Sequence, residues 1–294
     1  MNDTSLAEFE AQRPRLRRLA YRMLGSFAEA DDIVQDAWLR WQRADPREVV
    51  NVAAFLRQTV THLCLDVLKS ARTRRESYVG QWLPEPLAEA ESEAPRSDDL
   101  TLTLMLALER LSPLERAAFL LHDVFDVPLQ EVATTLHRDA AAVRQLAVRA
   151  RKHVSDARPR FAVAREEGER LARAFFDAST TGDVDRLQGL LAADAVIRSD
   201  GGGKVPAFRK PLIGRDRILR MYAGFARKTK GPALFVRRAW IDGLPGYVSR
   251  NADGHLQTVA LQIEGGLVTA IYVTRNPDKL RNLPAALMDG AVRD

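Results

Sequence analysis

The stretch Ala30-Asp31-Asp32-Ile33-Val34-Gln35-Asp36-Ala37-Trp38-Leu39-Arg40-Trp41 decides how the first half of the chain folds. Its apolar members Ile33, Val34, Ala37, Trp38 and Trp41 recur at helical spacing on one side, and the acids and the amide between them take the other. The helix starts near Glu29 and stops about Ala44-Asp45-Pro46. Upstream, Leu6, Phe9, Leu16, Leu19, Ala20, Met23 and Leu24 repeat the pattern as far as Gly25, a helix stop signal. Downstream, Phe55, Leu56, Val60, Leu63, Val67 and Leu68 predict a third helix from about Val52 to Tyr78, which turns strongly basic towards its end. Residues 1–79 therefore read as a compact three-helix domain.

Residues 80–99 break the pattern. They hold Pro84, Pro86 and Pro95, and from Glu85 onward six acids face one base, the composition of a linker. Helices resume at Leu100. Ser112-Pro113-Leu114-Glu115 is a capping box with proline at the first helical position. A short helix from Pro128 to His137, a turn, and a helix capped by Asp139 that carries Arg149, Arg151 and Lys152 suggest a helix-turn-helix within residues 100–160.

After about Glu166 the pattern changes class. Helices are expected near 167–180, 184–192 and 214–227, but 233–241, 246–250, 256–263 and 267–275 alternate and are rich in β-branched and aromatic residues. Glu264-Gly265-Gly266 offers a hairpin turn. Residues 166–294 are expected to form an α+β domain with a curved antiparallel sheet.

Composition narrows the function. The chain has 294 residues, 46% apolar and 28% charged, which excludes disordered and fibrous classes. Its single cysteine, Cys64, allows no internal disulfide and points to a reducing compartment, the cytoplasm. The polar N-terminus has no signal-peptide core, and nothing approaches the apolar run of about 18 residues that a membrane span needs. The net charge is +5, yet residues 1–165 carry 24 bases and 24 acids, so DNA binding by that half must rest on local clusters.

The Ala30–Trp41 helix, the basic helix with Leu65-Asp66-Val67-Leu68 ahead of Arg72, Arg74 and Arg75, and the later helix-turn-helix together resemble the extracytoplasmic-function sigma factors of bacterial RNA polymerase. The resemblance covers about residues 5–155 and implies a promoter-specificity subunit that performs no chemistry itself. It implies that Asp32, Gln35 and Asp36 dock on core polymerase. It implies that Arg47, Asn51, His62, Asp66, Lys69, Arg72, Arg74 and Arg75 serve the minus-ten element, and that Arg138, Arg144, Gln145, Arg149, Arg151 and Lys152 serve the minus-thirty-five element. The physics of those roles agrees. Opened strands need cationic backbone contacts, and a major-groove helix needs fork-shaped donors on its exposed side, opposite Val143, Leu146 and Ala150. His62 and Leu146 depart from the residues common in this class, so the promoter sequence does not transfer.

Three further strings, Trp82-Leu83-Pro84-Glu85-Pro86-Leu87, Asp200-Gly201-Gly202-Gly203-Lys204-Val205 and Asn276-Pro277-Asp278-Lys279-Leu280, resemble signatures of the sigma factors with a C-terminal SnoaL-like, NTF2-like cone domain. That likeness implies control in cis through the linker, with no separate anti-sigma protein. Three successive glycines allow close backbone approach, and the acidic linker and basic third domain attract each other through a salt-sensitive term. Two rival readings remain open. The first is catalysis or ligand sensing in the cone, for which Asp200, Asp242, Tyr247 and His255 are available, though no assembled constellation and no cofactor or metal motif is evident. The second is a ligand-responsive repressor that binds duplex DNA alone, which leaves the first domain unexplained.

Overall fold

The computed structural model describes residues 3–45, 49–76, 78–90, 102–155, 163–228, 233–251 and 253–288. The chain divides into two compact units, one of residues 1–77 with 105–157 and one of residues 78–104 with 158–294.

In the first unit, α1 (Asp3–Leu24), α2 (Phe27–Arg43) and α3 (Val52–Glu76) pack on one another. Gly25 ends α1 with φ of +73°, donating its N–H to the Tyr21 carbonyl, and Ser26 caps α2 by accepting from the Glu29 N–H. The buried stripe of α2 is Ile33, Val34, Ala37 and Trp41, facing Leu19, Ala20 and Met23 of α1 and Leu56 and Val60 of α3. Each large side chain so buried contributes about 1.5–3 kcal/mol. Ala37 is completely buried, so Ala37→Asp would hold a carboxylate inside this core and prevent its closure.

The same unit continues through α4 (Leu102–Leu108), whose last turn it holds, and α5 (Pro113–Phe119). The Ser112–Glu115 capping box forms at the start of α5 as its sequence predicts. A π-helical turn, Leu120–Val124, then widens the helix before Phe125. Helix α6 (Leu129–Leu136) and helix α7 (Ala140–Ser155) meet at His137, which takes the left-handed φ of +49° that a tight inter-helix turn demands. Asp139 accepts the Ala142 N–H at 2.7 Å and starts α7.

In the second unit, α8 (Arg165–Thr181), α9 (Val184–Leu190) and α10 (Arg215–Lys228) cover a seven-stranded sheet. Its strands are β1 (Ala88–Ala90), β2 (Leu191–Asp200), β3 (Leu212–Ile213), β4 (Leu234–Ile241), β5 (Leu244–Arg250), β6 (Leu256–Glu264) and β7 (Leu267–Thr274), in the order β1-β4-β5-β6-β7-β2-β3. A short α11 (Ala285–Met288) follows. The hairpin between β6 and β7 turns on Gly265 and Gly266, both at positive φ, in keeping with the two-residue turn expected there.

One expectation needs correction: the sheet is mixed, not antiparallel, because β2 runs parallel to β7. The chain reaches β2 from α9 and returns to β7 only after α10 and three antiparallel strands, a long crossover of the kind parallel pairing requires. Register shifts in β2, β4 and β6 mark irregularities that help curve the sheet around Phe175, Leu187, Ile218, Val259 and Ile271. No helix among the described residues is long and apolar enough to cross a membrane.

Candidate functional site

The polar face of α2 is open. Asp32, Gln35 and Asp36 are exposed, while the aromatic residues beside them pack: Trp41 is buried and donates to the Ser5 carbonyl, and Trp38 rests on Phe9 at 4.8 Å between ring centroids.

The two helices expected to read DNA differ in what surrounds them. On α7, Val143, Ala147, Ala150 and Val154 form the buried stripe with Leu146 half-buried at its edge, and Arg144, Gln145, Arg149, Arg151 and Lys152 point outward. Arg151 pairs with Asp123 at 2.7 Å and Arg149 lies 3.9 Å from Glu115; among the described residues, Arg144 and Lys152 form no ion pair. Arg138 donates to the carbonyl of the adjacent His137.

On α3 the corresponding face is turned against the helix-turn-helix. His62 is half-buried, donates Nε2–H to the Thr135 carbonyl at 2.6 Å, and lies 5.0 Å from the ring of His137. One turn earlier Arg57 pairs with Glu131 at 2.6 Å, and burial pulls its pKa below the ordinary guanidinium value. Asp66 and Lys69 are exposed and pair with each other, and Asn51 caps α3 by accepting the Ala54 N–H. Arg47 and the side chains of Arg72, Arg74 and Arg75 lie outside the described residues.

Arg116, which sequence reasoning missed, anchors this joint. It is 2% exposed and donates to the Met23 carbonyl at the end of α1, to the Leu108 carbonyl, and to Glu109. Burial pulls its pKa down to about 9. No sequence signal marks it, because an arginine in the first turns of a helix usually faces solvent.

In the second unit the three sequence strings converge on one carboxylate. Asp200 at the end of β2 is completely buried. Its Oδ1 accepts from the Tyr78 hydroxyl at 2.6 Å and the Gly202 N–H at 2.9 Å, and its Oδ2 accepts from the Leu83 N–H at 2.9 Å and from Lys279 Nζ at 2.8 Å. Lys279 also donates to the Leu83 carbonyl and sits over the Trp82 ring at 4.3 Å. Asn276 donates to the Tyr78 oxygen, and Asn282 to Glu85, which is buried like Pro84 and Pro86. Burial and the bond to Asp200 push the Tyr78 phenol well above its ordinary pKa, so it stays a donor.

The glycines are required here by space. A Cβ on Gly201 would lie 2.0 Å from the Val205 carbonyl oxygen, and one on Gly202 would run into the Asn276 amide. Lys204 reaches Asp278 in the same domain, not the linker, and that pairing holds the Asp278 carboxyl below the usual range. Asn276 and Asp278 thus act within a local turn, with Pro277 between them, and Lys279 does the clasping.

The linker then joins the sheet. Ala88–Ala90 pairs with β4 as its edge strand, opposite Trp240 and Ile241. Asp242, in a turn at φ of +47°, brackets the connector: its N–H donates to the Leu87 carbonyl, its carboxylate accepts the Leu87 N–H, and its carbonyl accepts the N–H of Leu102. The linker up to Ala90 is therefore held by buried, specific bonds, and its acidic remainder, residues 91–101, lies outside the described residues. Of the four residues available for catalysis, Asp200 and Asp242 are engaged by the linker, Tyr247 is buried on a cavity wall, and His255 is exposed on a turn.

A region 2 helical core, a helix-turn-helix and a curved-sheet domain that grips the connector between them define the class: a multidomain bacterial transcription initiation subunit. Residues 9–74 match the Sigma-70 region 2 family, residues 101–154 the Sigma-70 region 4 family, and residues 172–275 the SnoaL-like domain family. The chain is 37% identical to the ECF RNA polymerase sigma factor SigJ of Mycobacterium tuberculosis, covering 95% of this chain and 94% of that protein. It is 33% identical to the probable ECF RNA polymerase sigma factor SigI of the same organism, over 98% and 99%. The crystal structure of Mycobacterium tuberculosis SigJ superposes with a TM-score of 0.73 at 34% identity, covering 94% of this chain and 98% of that one. The chain belongs to the extracytoplasmic-function sigma factors, in the group with a C-terminal SnoaL-like domain, and directs promoter-specific transcription initiation.

Proposed function

We propose that this sigma factor restrains itself in cis, the SnoaL-like domain holding the connector between regions 2 and 4 by the Asp200 clasp. The observation that carries this reading is that Asp200 binds the connector at Tyr78 and Leu83 while Asp242 binds it at Leu87 and Leu102. Two promoter elements some 20 base pairs apart span about 70 Å at 3.4 Å per base pair, so regions 2 and 4 must separate to reach both. A connector fastened near both ends resists that separation, and the His62–Thr135 and Arg57–Glu131 contacts hold the minus-ten face of α3 against α6.

In this reading Asp32, Gln35 and Asp36 dock on core polymerase, and the basic end of α3 with Arg47 and Asn51 meets opened minus-ten DNA. The outward face of α7, led by Arg144 and Gln145, enters the minus-thirty-five major groove. The cone works by binding, not by turnover, and the protein acts in the cytoplasm beside the polymerase.

The test is run-off transcription from the chain's own upstream region with purified core polymerase. The full chain is expected to support transcription that is absent without it, and Asp200→Asn and Lys279→Met to raise that signal several-fold. A loss of transcription by both variants, with folding intact, would overturn the restraint. Control that appears only when a further protein is added would contradict its being in cis.

A further inference from the structure

Between α8, α10 and the concave face of the sheet lies a cavity of about 480 Å³, on the scale of small-molecule sites. Phe176, Phe208, Met221 and Val259 make its walls apolar, and the hydroxyl-bearing rings of Tyr222 and Tyr247 give it flat surfaces. Burial pushes both phenols upward, so they are neutral donors. On one side Arg275 lines the wall with a buried Nε–H that has no partner among the described residues, while its other nitrogen donates to the Pro206 carbonyl at 2.6 Å. Asp253 shares that rim and opposes the fall in the Arg275 pKa that burial causes. An apolar hole with flat walls and one uncommitted guanidinium N–H has the chemistry of a binding site, because packing alone would have closed the hole or satisfied the donor.

The cavity shares its wall with the clasp. Phe208 lines it, donates its N–H to Ser199 Oγ at 2.8 Å, and offers its carbonyl to Gln81 of the connector at 2.9 Å. Ser199, also in the wall, directly precedes Asp200.

We propose that this cavity binds a flat, mostly apolar ring compound bearing an oxyanion or carbonyl oxygen that accepts from Arg275, and that its occupancy tightens the connector's hold through Phe208 and Gln81. The binding half stands alone, and the coupling half rests on the cis restraint proposed above. A ligand of this class orders the Pro206–Phe208 segment by packing on it, so it strengthens the grip on the connector. The site thereby makes the sigma factor answerable to a small molecule.

The experiment uses the full chain and 1-anilinonaphthalene-8-sulfonate, an aromatic anion of this class, as the probe. Fluorescence titration is expected to saturate at one site. Ala233→Trp, which fills the cavity, should weaken binding at least tenfold, and Arg275→Gln should weaken it several-fold. Val273→Met is a second, gentler filling variant should the first unfold the domain, as near-ultraviolet circular dichroism would show. Binding unchanged by folded variants that fill the cavity or remove the guanidinium would overturn the site. Amide exchange across residues 78–88 is then expected to slow several-fold with the probe bound. Saturable, variant-sensitive binding with unchanged exchange would overturn the coupling alone and leave both the site and the cis restraint standing.

Discussion

Two helices built to meet DNA stand in opposite states within the same helical unit. The outward face of α7 is exposed, with Arg144 and Lys152 outside any ion pair among the described residues, whereas His62 and Arg57 on α3 are committed to α6. Both helices bury an apolar stripe and offer a polar face, so amphipathicity does not separate them. What separates them is the joint fastened by Arg116, whose bonds to Met23 and Leu108 hold region 4 against region 2. The minus-thirty-five surface is ready as folded, and the minus-ten surface is ready only after the joint opens.

The strongest way to break that contrast is Arg116→Ala. Removing one partner from a buried charge network costs about 3–5 kcal/mol, and here it also leaves two carbonyls and Glu109 unsatisfied. Thermal unfolding of the helical unit is expected to show the loss directly. Arg144→Ala probes the open face: a bidentate base contact carries about 1–3 kcal/mol of discrimination. Transcription from promoters altered at the minus-thirty-five element should lose selectivity at one position, whereas Lys152→Ala should weaken all templates alike.

The closed state also answers to pH through the connector. Tyr78, Tyr222 and Tyr247 have pKa values raised on folding, so the stability they contribute is complete below the unfolded value of about 10 and is lost as pH rises above it. The SnoaL-like unit is expected to lose stability in alkaline titration, and Tyr78→Phe should shrink that pH-dependent loss while weakening the clasp. The smallest effect is expected from Glu131→Gln. Its partner Arg57 is largely covered, but Glu131 is half-exposed, and such pairs contribute about 0.2–1 kcal/mol. Denaturant midpoints should barely move, while amide exchange around His62 quickens.

Local chemistry was readable where a few neighbouring residues determine it. Gly25, the Ser112–Glu115 box, the Asp139 cap and the Gly265–Gly266 turn each form as their residues require. Strand direction was not readable, because a period of two is the same in parallel and antiparallel pairing, and so β2 was expected antiparallel. The edge strand Ala88–Ala90 was hidden as well: alanine and glutamate have weak strand preference, and main-chain bonds to β4 hold the segment in place. The clasp was half legible. Its glycines, Asp200 and Lys279 stood out as strings, but Tyr78, Gln81 and Asn282 join them only through contacts distant in sequence.

The central claim is that the connector is clasped in the free chain and let go in the transcribing complex. Hydrogen exchange over residues 78–90, in the free chain and in the complex with core polymerase on promoter DNA, tests it most directly. The Leu83 and Leu87 amides, bound by Asp200 and Asp242, are expected to be protected in the free chain and to exchange rapidly in the complex. Protection that persists unchanged in a transcriptionally active complex would contradict the account.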